Sequence, residues 1–237
     1  MHENLIRIKA VNEALKELEH EYVFVGGATV SLYATNAAAV NAVRPTDDVD
    51  ILVELASYKG YTELDKRLLD IGFKNDMTSG VICRYKIQGI TVDVMPTHPE
   101  AMGFSNKWYP EGFQTAINYR LDNQTDIKIF SLPYFVATKW EAFKGRGTDY
   151  RTSTDFEDLV YVFENADDFE EQMETAPEHL ASYLRGEFEP ILDRDDFEEG
   201  LYAHLAGGYG GIDANYIRNR IIMALGINRQ RFRGRSR

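Results

Sequence analysis

Asp48 and Asp50 stand at i and i+2 in the segment Arg44-Pro-Thr-Asp-Asp-Val-Asp-Ile51, at the threshold of an apolar run. Side chains two residues apart on a strand share a face. Two carboxylates set side by side on one face repel each other and lose hydration, a cost that a cation relieves. The segment therefore predicts a strand over 49–54 whose leading end carries a cation-seeking pair. Asp47 falls outside the shared face and is excluded from it. Upstream, the short apolar run Tyr22–Val25 ends at Gly26-Gly27. Downstream, Asp93 is a lone carboxylate in Ile90-Thr-Val-Asp-Val-Met95. A strand that ends in Gly-Gly and feeds a helix lets backbone N–H groups approach a phosphate closely, and Thr29 and Ser31 would add hydroxyls. Strand, glycine pair, helix, paired acids and a third acid are the elements of metal-dependent phosphoryl transfer.

Around these motifs the chain reads as an α/β half followed by a helical half. Leu5, Ile8, Val11, Leu15 and Leu18 recur at helical spacing, predicting a helix over 3–20. Further helices are expected over 28–34 and 61–71. Residues 36–43 are small and alanine-rich, a helix end or a loop. Val81–Ile87 and Ile90–Met95 predict a hairpin turned at Gln88-Gly89, which would set Arg84 opposite Asp93. Asp93 then has two readings, a metal ligand or the partner of Arg84. Strands are also expected over 117–121 and 127–131. Beyond Pro133, helical patterns cover 134–143, 154–164, 169–174, 179–184, 197–206 and 215–225, with Thr154 and Glu157 as a capping box. The expected domains are 1–130, catalytic, and 131–237, helical with a basic tail. Gly207-Gly-Tyr-Gly-Gly211 follows a helix and lacks Lys-Ser/Thr, so it reads as an interhelical turn and not a phosphate loop.

Composition narrows the classes. The 237 residues carry a net charge of −12, which argues against broad nonspecific nucleic-acid binding. The charge is uneven: residues 164–199 are acid-rich, whereas 228–237 hold five arginines that could meet a polyanion locally. A single cysteine, Cys83, excludes an intramolecular disulfide and fits a reducing cytoplasm. No apolar stretch approaches the ~20 residues that span a bilayer, and the N-terminus lacks the pattern of a secretion signal.

The ordered motifs resemble the nucleotidyltransferases of the DNA polymerase beta superfamily, and within them the AbiEii/AbiGii abortive-infection toxin branch. The matching stretches are Val25-Gly-Gly-Ala-Thr, Arg44–Ile51, Val92-Asp-Val-Met, Thr138-Lys-Trp-Glu-Ala-Phe-Lys-Gly-Arg and Ser153-Thr-Asp-Phe-Glu-Asp-Leu. The resemblance implies a mixed sheet with flanking helices and a C-terminal helical domain. It implies two Mg²⁺ ions (or Mn²⁺) on Asp48, Asp50 and Asp93, an NTP donor, and release of pyrophosphate. Gly26 and Gly27 would make room for the phosphates. Arg44 and Arg84 would face the nucleotide or acceptor, Lys139 would reach the triphosphate, and Asp155 and Asp158 would belong to the same activity. Arg146 and Arg151 are further candidates for phosphate contact. The acceptor implied is RNA, a tRNA end for example, with a cognate antitoxin protein as partner. A small hydroxylated acceptor of the aminoglycoside type is the alternative enzyme, and an inactive nucleotide-binding module the alternative of another class.

Overall fold

The apolar runs of the first half become strands of one sheet because each is too short for a helix and flanked by turn residues. The computed structural model describes residues 2–35, 37–55, 57–103, 105–147, 149–205 and 213–227. The chain divides into two units, Met1–Thr138 and Lys139–Arg237.

The first unit opens with helix α1 (Glu3–Ala14), capped by the His2 ring, which accepts from the Asn4 N–H. The periodicity extends to Leu18, but the helix stops at Ala14. Tight turns, with the Leu18 N–H bonded to the Leu15 carbonyl at 2.9 Å, keep Leu15 and Leu18 buried without helix. Strand β1 (Tyr22–Val25) follows, then Gly26 at φ 72, a left-handed conformation that glycine adopts readily. The next turn is a 3₁₀ helix, Gly27–Tyr33, where an α-helix was expected. The backbone N–H of Thr29 and its hydroxyl both bond the Gly26 carbonyl, at 3.3 and 2.9 Å, which tightens the coil to i→i+3.

Helix α2 (Ala37–Ala42) resolves the alanine-rich stretch. It leads to β2 (Asp48–Val53), α3 (Tyr58–Asp70), β3 (Lys74–Asn75), β4 (Arg84–Ile87) and β5 (Ile90–Pro96). β4 begins three residues later than expected, because Val81 and Ile82 lie in an exposed turn. Gln88 and Gly89 both have positive φ, 50 and 83°, so the β4–β5 hairpin closes through a two-residue turn of mirror-image type. Its register sets Arg84 opposite Asp93, as the turn length implied. Helix α4 (Tyr109–Gln114) and strands β6 (Ile117–Asp122) and β7 (Thr125–Ile129) complete the sheet. Its order is β3-β4-β5-β2-β1-β7-β6. β2 runs parallel to β5 and β1 parallel to β7, while the other neighbours are antiparallel. The expected mixed sheet with flanking helices and a helical C-terminal part is thus what the chain has.

Helix α5 (Leu132–Arg146) contains the boundary between the units. The second unit continues with α6 (Thr154–Asn165), α7 (Phe169–Glu174), α8 (Glu178–Phe188), α9 (Asp195–His204) and α10 (Ala214–Ala224). The residue that caps α6 is Ser153, whose hydroxyl accepts from the Phe156 N–H, so the expected cap at Thr154 is displaced by one. At the other end of α6, buried Arg220 donates to the Phe163 and Ala166 carbonyls at 2.8 and 2.6 Å, supplying a cation where the helix dipole is negative. Aromatic rings fill this unit: Trp140 lies 4.7 Å from Phe188, and Tyr150 lies 4.9 Å from both Phe143 and Phe156. The glycine run 207–211 and the arginine-rich tail 228–237 lie outside the described residues. Among the described residues no helix is long and apolar enough to cross a membrane.

Candidate active site

The pairing of four neighbouring strands assembles the site. Val25 of β1 is opposite Asp50 of β2, Asp50 is level with Asp93 of β5, and Asp93 is opposite Arg84 of β4. Residues in register across a sheet share a face, and Asp48 joins that face two residues before Asp50. The sheet therefore brings Asp48, Asp50, Asp93 and Arg84 together from segments up to 45 residues apart in the chain, the arithmetic being 93 minus 48.

The loop before β2 is pinned from behind. Asn4, fully buried on α1, accepts from the Thr46 N–H at 3.0 Å and donates to the Arg44 carbonyl at 3.2 Å. The Thr46 hydroxyl donates to the Asp48 carbonyl at 3.0 Å. These bonds fix where β2 starts and hence where the Asp48 side chain begins. Thr46 was visible beside the acids, but nothing in a helix of ordinary composition marks Asn4.

Gly26 meets the site from the other side. A Cβ at this position would lie 2.0 Å from the Asp50 carboxylate Oδ2, so the lack of a side chain is what lets that carboxylate stand where it does. The glycine is required twice, by its φ and by this contact. Gly27 begins the 3₁₀ helix. Thr29 and Ser31 lie inside the unit at 0% and 1% exposure, and the Thr29 hydroxyl is spent on the Gly26 carbonyl.

Arg84 brings a positive charge to the cluster. Its Nε donates to Asp93 Oδ1 and its Nη2 to Asp93 Oδ2, both at 2.8 Å, in a two-pronged grip. The same Nη2 also reaches Asp48 Oδ2 at 3.0 Å. The bonds to Asp93 raise the guanidinium pKa further, so Arg84 keeps its charge. Of the two readings of Asp93 from sequence, the pair with Arg84 is present, on a carboxylate level with Asp50. Cys83, beside Arg84 in the chain, is buried; burial first, and the Asp93 charge second, push its thiol up to about 12.

The donor set suits a hard divalent cation. Mg²⁺ takes oxygen ligands and is usually held by one or two carboxylates, and three are present on one face beside a glycine that leaves Asp50 room. In this arrangement, however, Arg84 takes the position between Asp48 and Asp93. Among the described residues no three His, Cys, Asp or Glu side chains are gathered as a metal cluster.

The remaining candidates are placed elsewhere. Lys139, Asp155 and Asp158 form a cluster of their own in the second unit: the Lys139 ammonium lies 3.2 Å from Asp155 and 2.6 Å from Asp158, all three buried. Arg146 joins it at 3.1 Å from Asp155. Arg151 pairs with Asp149 at 3.1 Å on the surface. Arg44 lies in the loop before β2, its carbonyl held by Asn4. Sequence reasoning also missed a set of bonds behind the hairpin. There the Tyr85 hydroxyl donates to Asp65 at 2.7 Å and lies 3.1 Å from the Tyr61 hydroxyl, tying α3 to β4.

No family model matches the chain, and no curated protein matches it. Among solved structures, the antibiotic-resistance factor ANT(2'')-Ia aligns over 79% of this chain and 94% of its own, at TM-score 0.50 and 14% identity. An antigenic nucleotidyltransferase-like protein from Paracoccidioides brasiliensis aligns over 86% of this chain and 95% of its own, at TM-score 0.47 and 18% identity. The likeness to ANT(2'')-Ia is one of fold.

Proposed function

We propose that this chain is a nucleotidyltransferase that moves a nucleoside monophosphate from an NTP to an acceptor hydroxyl and releases pyrophosphate. The observation that carries this reading is the register of β1, β2, β5 and β4, which sets Asp48, Asp50 and Asp93 on one face against the bare backbone of Gly26. Asp48 and Asp50 would hold Mg²⁺, and Asp93 would share in a second ion. When bound, such ions neutralise the triphosphate and activate the acceptor hydroxyl. The missing side chain of Gly26 leaves the Asp50 carboxylate its place on that face. Asn4 and Thr46 hold the start of β2, so that the two acids of that strand keep their aim.

The acceptor in this reading is RNA, a tRNA end for example, and the chain is the toxin-like member of a toxin–antitoxin or phage-defence pair acting in the cytoplasm. Its support is the set of motifs that resemble the AbiEii/AbiGii branch. A second reading, transfer to a small antibiotic-like molecule, is favoured by the fold shared with ANT(2'')-Ia. Both are tested by incubating the protein with Mg²⁺, each α-labelled NTP, total tRNA and a panel of aminoglycosides. Label on RNA is the expected outcome, and label on a drug selects the second reading. Asp50→Asn and Asp93→Asn should each lower transfer by a factor of about 10³ or more, since each removes a carboxylate from the set that would hold the ions, with unchanged circular dichroism. Transfer retained by either variant sinks the assignment of that residue.

A further inference from the structure

Arg84 competes for the carboxylates that the proposed function gives to metal. Its fork engages both oxygens of Asp93, and its Nη2 also takes one oxygen of Asp48. A guanidinium fork on both oxygens of a carboxylate takes one lone-pair site on each, which leaves a cation only the sites that face away from the fork. A guanidinium and a divalent cation crowded onto the same oxygens also repel each other. The charges argue the same way: Asp48, Asp50 and Asp93 bring three negative charges to one face, and Arg84 sets a positive one against Asp93 and Asp48. The ion pair is what makes the acidic face tolerable in the ligand-free chain. The Arg84 side chain remains 26% exposed, and the residue is among those that line a cleft of about 370 Å³.

We propose that Arg84 is an internal counter-cation that latches Asp93 to Asp48, and that a divalent ion occupies the three-carboxylate face only by exchange with it. The proposal rests on the metal reading of Asp48, Asp50 and Asp93. The latch lowers the apparent affinity of the free chain for metal by the fraction of molecules in which the latch is open. A polyanionic ligand that draws the guanidinium to itself would release Asp93 at the moment the substrate arrives. Metal and substrate would then bind with positive coupling.

The test is Mn²⁺ binding to the full chain, read from the electron paramagnetic resonance signal of free Mn²⁺ without substrate. The wild type is compared with Arg84→Gln, Arg84→Lys, Asp93→Asn and Arg84→Gln/Asp93→Asn. Arg84→Gln should bind Mn²⁺ tighter by roughly tenfold or more, the latch having been removed. Arg84→Lys, which keeps the charge but not the fork, should fall between and covers the case in which the glutamine variant folds poorly. Adding Asp93→Asn should cancel the gain. Equal or weaker binding by both Arg84 variants, with clear binding by the wild type, overturns the latch and leaves the metal site standing. Binding by none of the chains, or binding indifferent to Asp93→Asn, overturns the metal reading and the latch with it.

Discussion

Gly26 shows how one residue can be fixed by two independent constraints. Its φ of 72° lies where an L side chain is strained, and a Cβ would sit 2.0 Å from Asp50 Oδ2. Gly26→Ala should therefore cost about 1–3 kcal/mol in backbone strain and push the Asp50 carboxylate off the shared face. Urea melts should show the stability loss, and the labelled-transfer assay a fall in activity larger than that loss explains. Wild-type activity in a destabilised Gly26→Ala protein would separate the glycine from the site. At this scale the sequence was informative where chemistry and spacing coincide. Asp48 and Asp50 could be placed on one face from the period of a strand, and Arg84 opposite Asp93 from the length of a turn, whereas the level of Asp93 with Asp50 comes from the pairing of β2 with β5. Asn4 could not be found, because its role is to pin a loop 40 residues away, counted from Asn4 to Arg44, and no local pattern carries that information. Thr29 and Ser31 illustrate the converse. Hydroxyls next to a glycine pair read as phosphate contacts, yet in the 3₁₀ coil both residues are buried, and the Thr29 hydroxyl is bonded to the Gly26 carbonyl.

At the scale of elements, strands were legible where apolar runs are bounded by turn chemistry, and boundaries shifted where burial and conformation part company. Val81 and Ile82 look like strand residues by type, but they are exposed in a turn. Leu15 and Leu18 satisfy a helical period without being helical. The start of α6 is a sharper case. Thr154 and Glu157 have the spacing of a capping box, but the hydroxyl that accepts the Phe156 N–H belongs to Ser153. Both Ser153 and Thr154 are suitable types, and the extended backbone of Ser153 at φ −75° and ψ 123° settles which residue lies outside the helix. Ser153→Ala should cost about 1 kcal/mol in equilibrium denaturation, and Thr154→Ala only a few tenths. The reverse order would put the cap back at Thr154. Ser153 immediately precedes α6, so a loosened cap acts next to Asp155, in the first turn of that helix.

For the whole molecule, the informative contrast is between two charged clusters, one in each unit. In the first unit the acids face Arg84, whose side chain is 26% exposed. In the second, Lys139 is held by Asp155 and Asp158 with all three side chains at 10% exposure or less, which makes the cluster part of the packing of α5 against α6. The resemblance gives Lys139 to the triphosphate, whereas its bonds give it a structural task, and stability and activity can be read separately. Lys139→Met takes the lysine from two buried carboxylates, of which Asp155 keeps Arg146, and should cost about 3–5 kcal/mol, measured by guanidinium denaturation. Adding Asp155→Asn and Asp158→Asn removes the excess charge and should recover most of that loss, because a balanced apolar or amide replacement of a buried ion cluster is tolerated where half of one is not. The triple variant is then the one on which to measure nucleotide transfer. Transfer near the wild-type rate assigns all three residues to the fold alone. Transfer abolished in a protein of restored stability assigns at least one of them to the reaction. Restoring Lys139 alone, in the Asp155→Asn/Asp158→Asn background, shows whether the lysine is that residue, since its ammonium is then relieved of the partners that hold it in the second unit.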